Sequence, residues 1–346
     1  MKYKDSGVNI IEANKTVNVI KKIVQKTFTK SVLCNIGTFG SMYDGIFNDI
    51  KEPVLVSSAD GVGTKMIIAE EANYFERCGE DIVNHSVNDI LSVGARGLYF
   101  LDYIGMGKLE SEKVKRIITS MSKACIENNL SLIGGELSEM SDVYNYTHYD
   151  IIGFIVGVAE KKDILMPEKI KKDNVIIGLH SSGFHTNGYS LIRKILKESK
   201  TDIKKSFTFS KKKIYELLLE PHKSYFRPVY PMIKKRILNG IAHITGGGFI
   251  DNIERILPDN VDAIIDSSMW NVPPLFSKIC QLGRIDFEEK YKTFNMGIGM
   301  ILISDKKNLL YIAKSLKKIK IGYNIIGKTV PGGGNVYLLK RSKNER

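Results

Sequence analysis

Two hydrophobic periods alternate along this chain. Val54 to Ser57 is a short apolar run that reads as a strand, and Thr64 to Ala72 opens a helix. From Asp81 to Leu91, the apolar positions Ile82, Val83, Val87, Ile90 and Leu91 fall on one side of a helix. Leu98 to Ile104 predicts a strand and Ser111 to Asn128 a long helix, and Ser131 to Ile133 and Ile151 to Val158 complete four strands. A lysine-rich stretch from Glu160 to Asp173, broken by Pro167, reads as a linker.

A second block begins at the buried-type strand Val175 to Leu179 and continues into an amphipathic helix over Leu191 to Leu196. Later come a strand, triple glycine and helix in AHITGGGFIDNIERIL, a strand at Ala263 to Ile265, and a helix around Pro274 to Gln281. FNMGIGMILI, a helix near Leu309 to Leu316 and two closing strands finish the chain. Mixed helices and strands in two blocks predict an α/β (α+β) protein of two sequential domains, at 1–160 and 172–340. The length of 346 residues agrees, because single cores usually stop growing below that size.

Composition narrows the class. With 43% hydrophobic and 26% charged residues and a mean hydropathy of −0.11, the chain is globular. No apolar run approaches the ~18 residues a membrane span needs, and the first residues carry charge where a secretory signal needs apolar side chains. A soluble, cytoplasmic protein is expected, with no membrane partner. Cys34, Cys78, Cys125 and Cys280 are far apart, which predicts reduced, mostly buried thiols. The net charge of +13 is mostly scattered lysine without interleaved aromatics or a helix-turn-helix pattern, so no nucleic-acid partner is expected.

The candidate chemistry lies in acids, glycines and histidines. SSADGVGTK (57–65) follows a strand but differs from a Walker loop, because Asp60 comes first and Thr64 precedes Lys65. Asp81, His85 and Asp89 are spaced i, i+4, i+8 and share one helix face. Glu136 and Glu139 follow Gly134-Gly135, where the backbone is expected to turn sharply. One such acid alone reads as a cap or a solvated charge. Three glycine-flanked acidic sites in one domain favour Mg²⁺ with phosphate oxygens.

Gly61 and Gly63, Gly134 and Gly135, and Gly246-Gly247-Gly248 each follow an apolar strand; tight turns and phosphate cradles both use glycine there. His185, Thr186 and Asn187 crowd one glycine-rich turn, and His243 precedes the triple glycine. Both histidines are candidates for chemistry or substrate contact, against the commoner structural use of a lone histidine.

Taken in order, YKDSGV (3–8), SSADGVGTK, VNDIL (87–91), FLDY (100–103), IGGELSEM (133–140), HTNGYSLIRKI (185–195), AHITGGGF (242–249) and TFNMGIGM (293–300) resemble one family over nearly the whole chain. It is the phosphoribosylformylglycinamidine cyclo-ligases, also called aminoimidazole ribonucleotide synthetases. The resemblance implies a two-domain fold whose N-terminal four-stranded sheets join into a barrel-like homodimer core.

It also implies a reaction. ATP activates the formyl amide oxygen of formylglycinamidine ribonucleotide (FGAM), a nitrogen closes on that carbon, and aminoimidazole ribonucleotide (AIR), ADP and phosphate are released. On this resemblance Asp60, Asp89 and Glu136 are metal or nucleotide residues. Gly61, Gly63, Thr64, Gly134, Gly135, Gly246, Gly247 and Gly248 contact the nucleotide. Lys65 offsets phosphate charge, and Lys21 lies near the nucleotide. His185, Asn187 and His243 contact substrate or move protons.

Asn9, Ala59, the glycine-poor CNIGTFGS (34–41), LSEMSDVY and Lys292 depart from the family pattern. A sister ATP-dependent phosphotransferase of the selenophosphate synthetase kind is the alternative, and it needs a reactive Cys or selenocysteine in its N-terminal loop.

Overall fold

A computed structural model describes residues 10–340. YKDSGV and Asn9 lie outside them. The chain divides into two compact units. The first runs to Ile90 and takes up Arg96–Glu160 and Ile203–Ser224, and the second comprises Leu91–Ala95, Lys161–Asp202 and the chain from Tyr225 onward. Both are mixed α and β, as the periodicity predicts. Residues 203–224 thus pack with the first unit, although the block around them in sequence belongs to the second.

In chain order the elements before the linker are α1 (Ile10–Val24), β1 (Pro53–Gly61), α2 (Lys65–Ala72), α3 (Cys78–Ser92), β2 (Arg96–Met106), α4 (Ser111–Glu127), β3 (Ser131–Glu139) and β4 (Tyr149–Glu160). After it come β5 (Val175–His180), α5 (Tyr189–Glu198), α6 (Ile214–Leu218), α7 (Phe226–Lys234), β6 (Gly240–His243), α8 (Gly248–Glu254), β7 (Val261–Asp266), α9 (Pro274–Gly283), α10 (Phe287–Thr293), β8 (Ile298–Ser304), α11 (Leu309–Lys318), β9 (Tyr323–Pro331) and β10 (Val336–Leu339).

The first unit holds a four-stranded sheet in the order β1-β4-β2-β3. β4 is antiparallel to both neighbours, while β2 and β3 are parallel and joined through α4, the crossover a parallel pair requires. Alternation along β4 sorts its side chains by face. Ile151 and Ile155 are buried together with Ile82, Val83, Ile90, Ile117 and Met121 of α3 and α4, while Phe154 on the opposite face is exposed. The backbones of α3 and α4 touch at Gly79, where a Cβ would stand 2.3 Å from the Ile117 carbonyl oxygen.

The expected turn at Gly134-Gly135 is absent, because β3 runs straight through to Glu139. These glycines serve close approach instead. A Cβ at Gly134 would lie 2.6 Å from Ser41 Oγ, and one at Gly135 would lie 2.4 Å from Asp102 Oδ1.

The second unit holds a six-stranded sheet in the order β10-β7-β9-β5-β8-β6. β8 lies inside it with every residue buried, consistent with the uninterrupted apolar run from Ile298 to Ile303. Three of the four cysteines are buried and all four are unpaired. Among the described residues, no helix is long and apolar enough to cross a membrane.

Candidate functional site

The SSADGVGTK turn leaves β1 at Asp60-Gly61 and enters α2 at Lys65. Asp60 Oδ1 accepts the Gly61 backbone N–H at 2.6 Å. Gly63 takes a left-handed φ of 67°, a conformation that favours glycine, and Thr64 is the N-cap residue of α2. Lys65 does not reach out of this turn. It is fully buried, and its Nζ donates to Asp81 Oδ1 at 2.8 Å and to the Glu220 carbonyl at 2.9 Å. Asp81 Oδ1 also accepts the His222 backbone N–H at 2.8 Å. Burial pushes the Asp81 carboxyl above its ordinary pKa, against the opposing pull of Lys65 and the His222 N–H. The motif lysine therefore ties segment 220–222 to α3, a contact that the expected phosphate role did not foresee.

One stripe of α3 organises what surrounds it. Asn84 Nδ2 donates to the His222 carbonyl at 2.7 Å, and Asn88 Nδ2 donates to the Lys223 carbonyl at 2.8 Å. Between these, His85 Nε2 lies 2.8 Å from Asp60 Oδ2 and 3.5 Å from Asp89 Oδ2. Ser58 Oγ donates to the same Asp89 oxygen at 3.2 Å. Burial pulls the His85 pKa down, but the hydrogen bond to Asp60 and the charges of Asp89 and Asp60 outweigh it, so the pKa is raised. Asp60 and Asp89 remain 44% and 26% exposed at their side chains. Two carboxylates that converge and stay open to solvent are a donor set that fits a hard divalent cation.

Glu136 does not join them within one chain. β1 and β3 are opposite edges of the sheet, and the cross-strand row runs Asp60, Gly153, Asp102, Gly135. At the usual strand spacing, that row is roughly 14 Å long. The expected trio of acids thus separates into the pair Asp60 and Asp89 and a distant Glu136.

Glu136, Gly134 and Gly135 instead line a cavity of about 770 Å³ beside α1 and the 36–41 loop. Ser41 Oγ fastens that loop by donating to the Ile133 carbonyl at 2.7 Å. Lys21 of α1 borders the loop, and its Nζ lies 3.3 Å from where a Gly37 Cβ would stand. Asp102, on the same wall, is buried, which pushes its carboxyl up to about 7.

In the second unit, the turn after β5 brings His185 in with a left-handed φ of 62° and full burial. Gly299 of β8 makes the space, because a Cβ there would lie 2.4 Å from His185 Cε1. Ring nitrogens of His185 and of His243, at the end of β6, lie within 4.8 Å of one another. Asn187 Nδ2 is buried without a hydrogen-bond partner, and Asn187 Oδ1 stands 3.7 Å from a Gly246 Cβ position.

Two of the triple glycines have local reasons. Gly247 and Gly248 take φ of 90° and 63°, and a Gly248 Cβ would clash with the Tyr291 carbonyl. Asn252 Nδ2 donates to the carbonyls of Gly246 at 3.1 Å and Gly248 at 2.8 Å. Sequence reasoning placed His85 on the right helix face but missed it as a bridge between two acids, and it missed Asp102. The FLDY motif and the i, i+4 spacing were the available signals.

Residues 44–159 match the family described as AIR synthase related protein, N-terminal domain, and residues 171–340 match its C-terminal domain. Solved structures of thiamine-monophosphate kinase from Stenotrophomonas maltophilia and of hydrogenase maturation protein HypE in complex with ATP share the fold. Each has a TM-score of 0.66, at 10% and 14% identity, and each comparison covers 93% of this chain, with 94% and 90% of theirs. A relative from Caldanaerobacter subterraneus subsp. tengcongensis is 45% identical over 98% of this chain and 100% of its own, and one from Ligilactobacillus salivarius is 43% identical over 96% and 97%. Both carry the name phosphoribosylformylglycinamidine cyclo-ligase. With both domain families matched in order and identity above 40% from end to end, the chain belongs to the phosphoribosylformylglycinamidine cyclo-ligase family.

Proposed function

We propose that this enzyme closes the imidazole ring of AIR from FGAM, using ATP and releasing ADP and phosphate, in the cytoplasm and as a homodimer. The observation that carries the reading is the convergence of Asp60 and Asp89 after β1, in a chain 45% identical throughout to a protein of that name. Residues 1–160 form the ATP-binding and dimerisation domain, and residues 172–340 the C-terminal domain.

Phosphoryl transfer followed by ring closure asks a protein mainly for positioning and charge neutralisation. Asp60 and Asp89 hold the Mg²⁺, which when bound neutralises phosphate charge. Gly61, Gly63 and Thr64 let the phosphates approach the backbone at the turn into α2. Gly134, Gly135 and Glu136, which line the cavity under the 36–41 loop, and Lys21, which borders that loop, serve the nucleotide there. His185, Asn187 and His243 contact FGAM, and Gly246, Gly247 and Gly248 contact nucleotide phosphate. An imidazole of His185 or His243 takes the proton that ring closure releases. Lys65 acts by fixing Asp81 of α3 against the segment at Glu220.

The homodimer is supported by the outer face of the four-stranded sheet. Leu55 and Phe154 are 66% and 43% exposed there, and Ile152 and Val156 are half-buried beside them. An apolar sheet face of this kind marks an interaction surface.

The deciding experiment incubates purified protein with FGAM, ATP and Mg²⁺ and follows AIR by diazo coupling. Product that needs both ATP and Mg²⁺ supports the reading. Absence of product from a folded protein that binds ATP would redirect the search to selenide and thiamine monophosphate.

A further inference from the structure

We propose that His85 is a positioning residue that holds Asp60 and Asp89 at the spacing a divalent cation needs; this rests on the reading of those acids as its ligands. The two carboxylates come from different elements, the end of β1 and the last turns of α3. Like charges brought together repel and swing apart unless a positive or donating group stands between them. His85 is that group, at 2.8 Å from one acid and 3.5 Å from the other. The lysine of the motif does not take this part, since its ammonium is committed to Asp81 and the Glu220 carbonyl.

The imidazole is itself held in place. Its ring centroid lies 5.0 Å from that of His222. His222 is clamped through both peptide groups that flank it, its N–H donating to Asp81 and its carbonyl accepting from Asn84. Both clamps belong to α3, the helix that also carries His85 and Asp89. One helix therefore supplies a cation ligand, the group that orients it and the props behind that group. Such outer partners of ligating carboxylates typically matter by about 10–100-fold in metal affinity.

The test uses Mn²⁺ as probe, with its binding to the full-length protein read by electron paramagnetic resonance in the presence of a non-hydrolysable ATP analogue. His85→Leu keeps the volume and removes the donor, His85→Gln restores a donor, and Asp89→Asn is the control. The expected result is loss of Mn²⁺ binding in Asp89→Asn, about 10–100-fold weaker binding in His85→Leu at an unchanged melting temperature, and an affinity between those of the wild type and His85→Leu in His85→Gln. KM for the nucleotide should rise with the same ranking. If His85→Leu does not fold, His85→Asn, whose amide stops short of Asp60, takes its place. Wild-type Mn²⁺ affinity in the folded donorless variant, with binding lost in Asp89→Asn, overturns the role of His85 alone. Wild-type affinity in Asp89→Asn overturns the cation reading and the inference together.

Discussion

Lys65 Nζ lies 2.8 Å from Asp81 Oδ1, with the two side chains 0% and 1% exposed. An ammonium so placed cannot follow a phosphate without leaving a buried carboxylate uncompensated. The lysine of DGVGTK thereby links the turn, α3 and the returning segment 203–224.

Removing one partner of a buried pair costs roughly 3–5 kcal/mol, while replacing both by apolar groups is often neutral. Lys65→Met should therefore lose about that much stability in urea denaturation, and Lys65→Met with Asp81→Leu should recover much of it. A Lys65→Met variant with the wild-type unfolding midpoint but no ATP binding would return the lysine to the phosphates.

Asp102 makes stability depend on pH with an unusual sign. Its carboxyl is raised from 3.8 to about 7 by burial, so between those values the folded state keeps a proton that the unfolded state has lost. Its contribution is complete below about pH 4 and disappears as pH rises to about 7, by up to about 4 kcal/mol. Asp102→Asn, neutral at every pH, should match the wild type near pH 4 and exceed it at pH 8. A stability difference that stays constant from pH 4 to 8 would show that the carboxyl is ionised throughout.

Much of this was legible from local pattern. The alternation of β4 and the 3.6-residue period of α3 and α4 are properties of a few neighbouring residues, and the structure has both. The sharing of a face by Asp81, His85 and Asp89 follows from helix geometry alone. The turn assigned to Gly134-Gly135 failed because glycine marks a turn and a close approach alike. What decides here is Ser41 and Asp102, distant in sequence. The separation of Glu136 from Asp60 depends on strand order, which no local pattern carries. The return of 203–224 rests on backbone carbonyls that meet Lys65, Asn84 and Asn88 more than 130 residues away. α7 was hidden by Pro228 and Pro231, yet it forms because Phe226, Val229, Met232 and Ile233 are buried along one side. α10 was not read from the sequence, although Asp286 accepts from the Glu289 N–H at 2.9 Å and DFEE has the spacing of a capping box.

His185 combines burial with a left-handed backbone, a conformation that histidine adopts at a cost and asparagine tolerates well. His185→Asn should keep the fold and melting temperature while turnover falls by about 100-fold or more, the usual worth of general acid–base help. Gly299→Ala should mimic part of this, because its methyl would stand 2.4 Å from both His185 Cε1 and Tyr225 Oη. Turnover in His185→Asn within a few-fold of wild type would remove the imidazole from the chemistry.

Phe154 tests what covers the outer face of the first sheet. It faces away from α3 and α4, pairs across the ladder with Ala59 and Leu101, and is left 43% exposed. In the homodimer proposed above, a glutamate there would put a charge into the subunit interface, but it would cost a lone protomer little, since the position is already open to water. On the proposed homodimer, the wild type should sediment as a dimer and Phe154→Glu as a monomer at the same concentration, and a monomer that keeps the wild-type unfolding midpoint would locate the change in association. A Phe154→Glu protein that still sediments as a dimer would place the subunit contact on another surface.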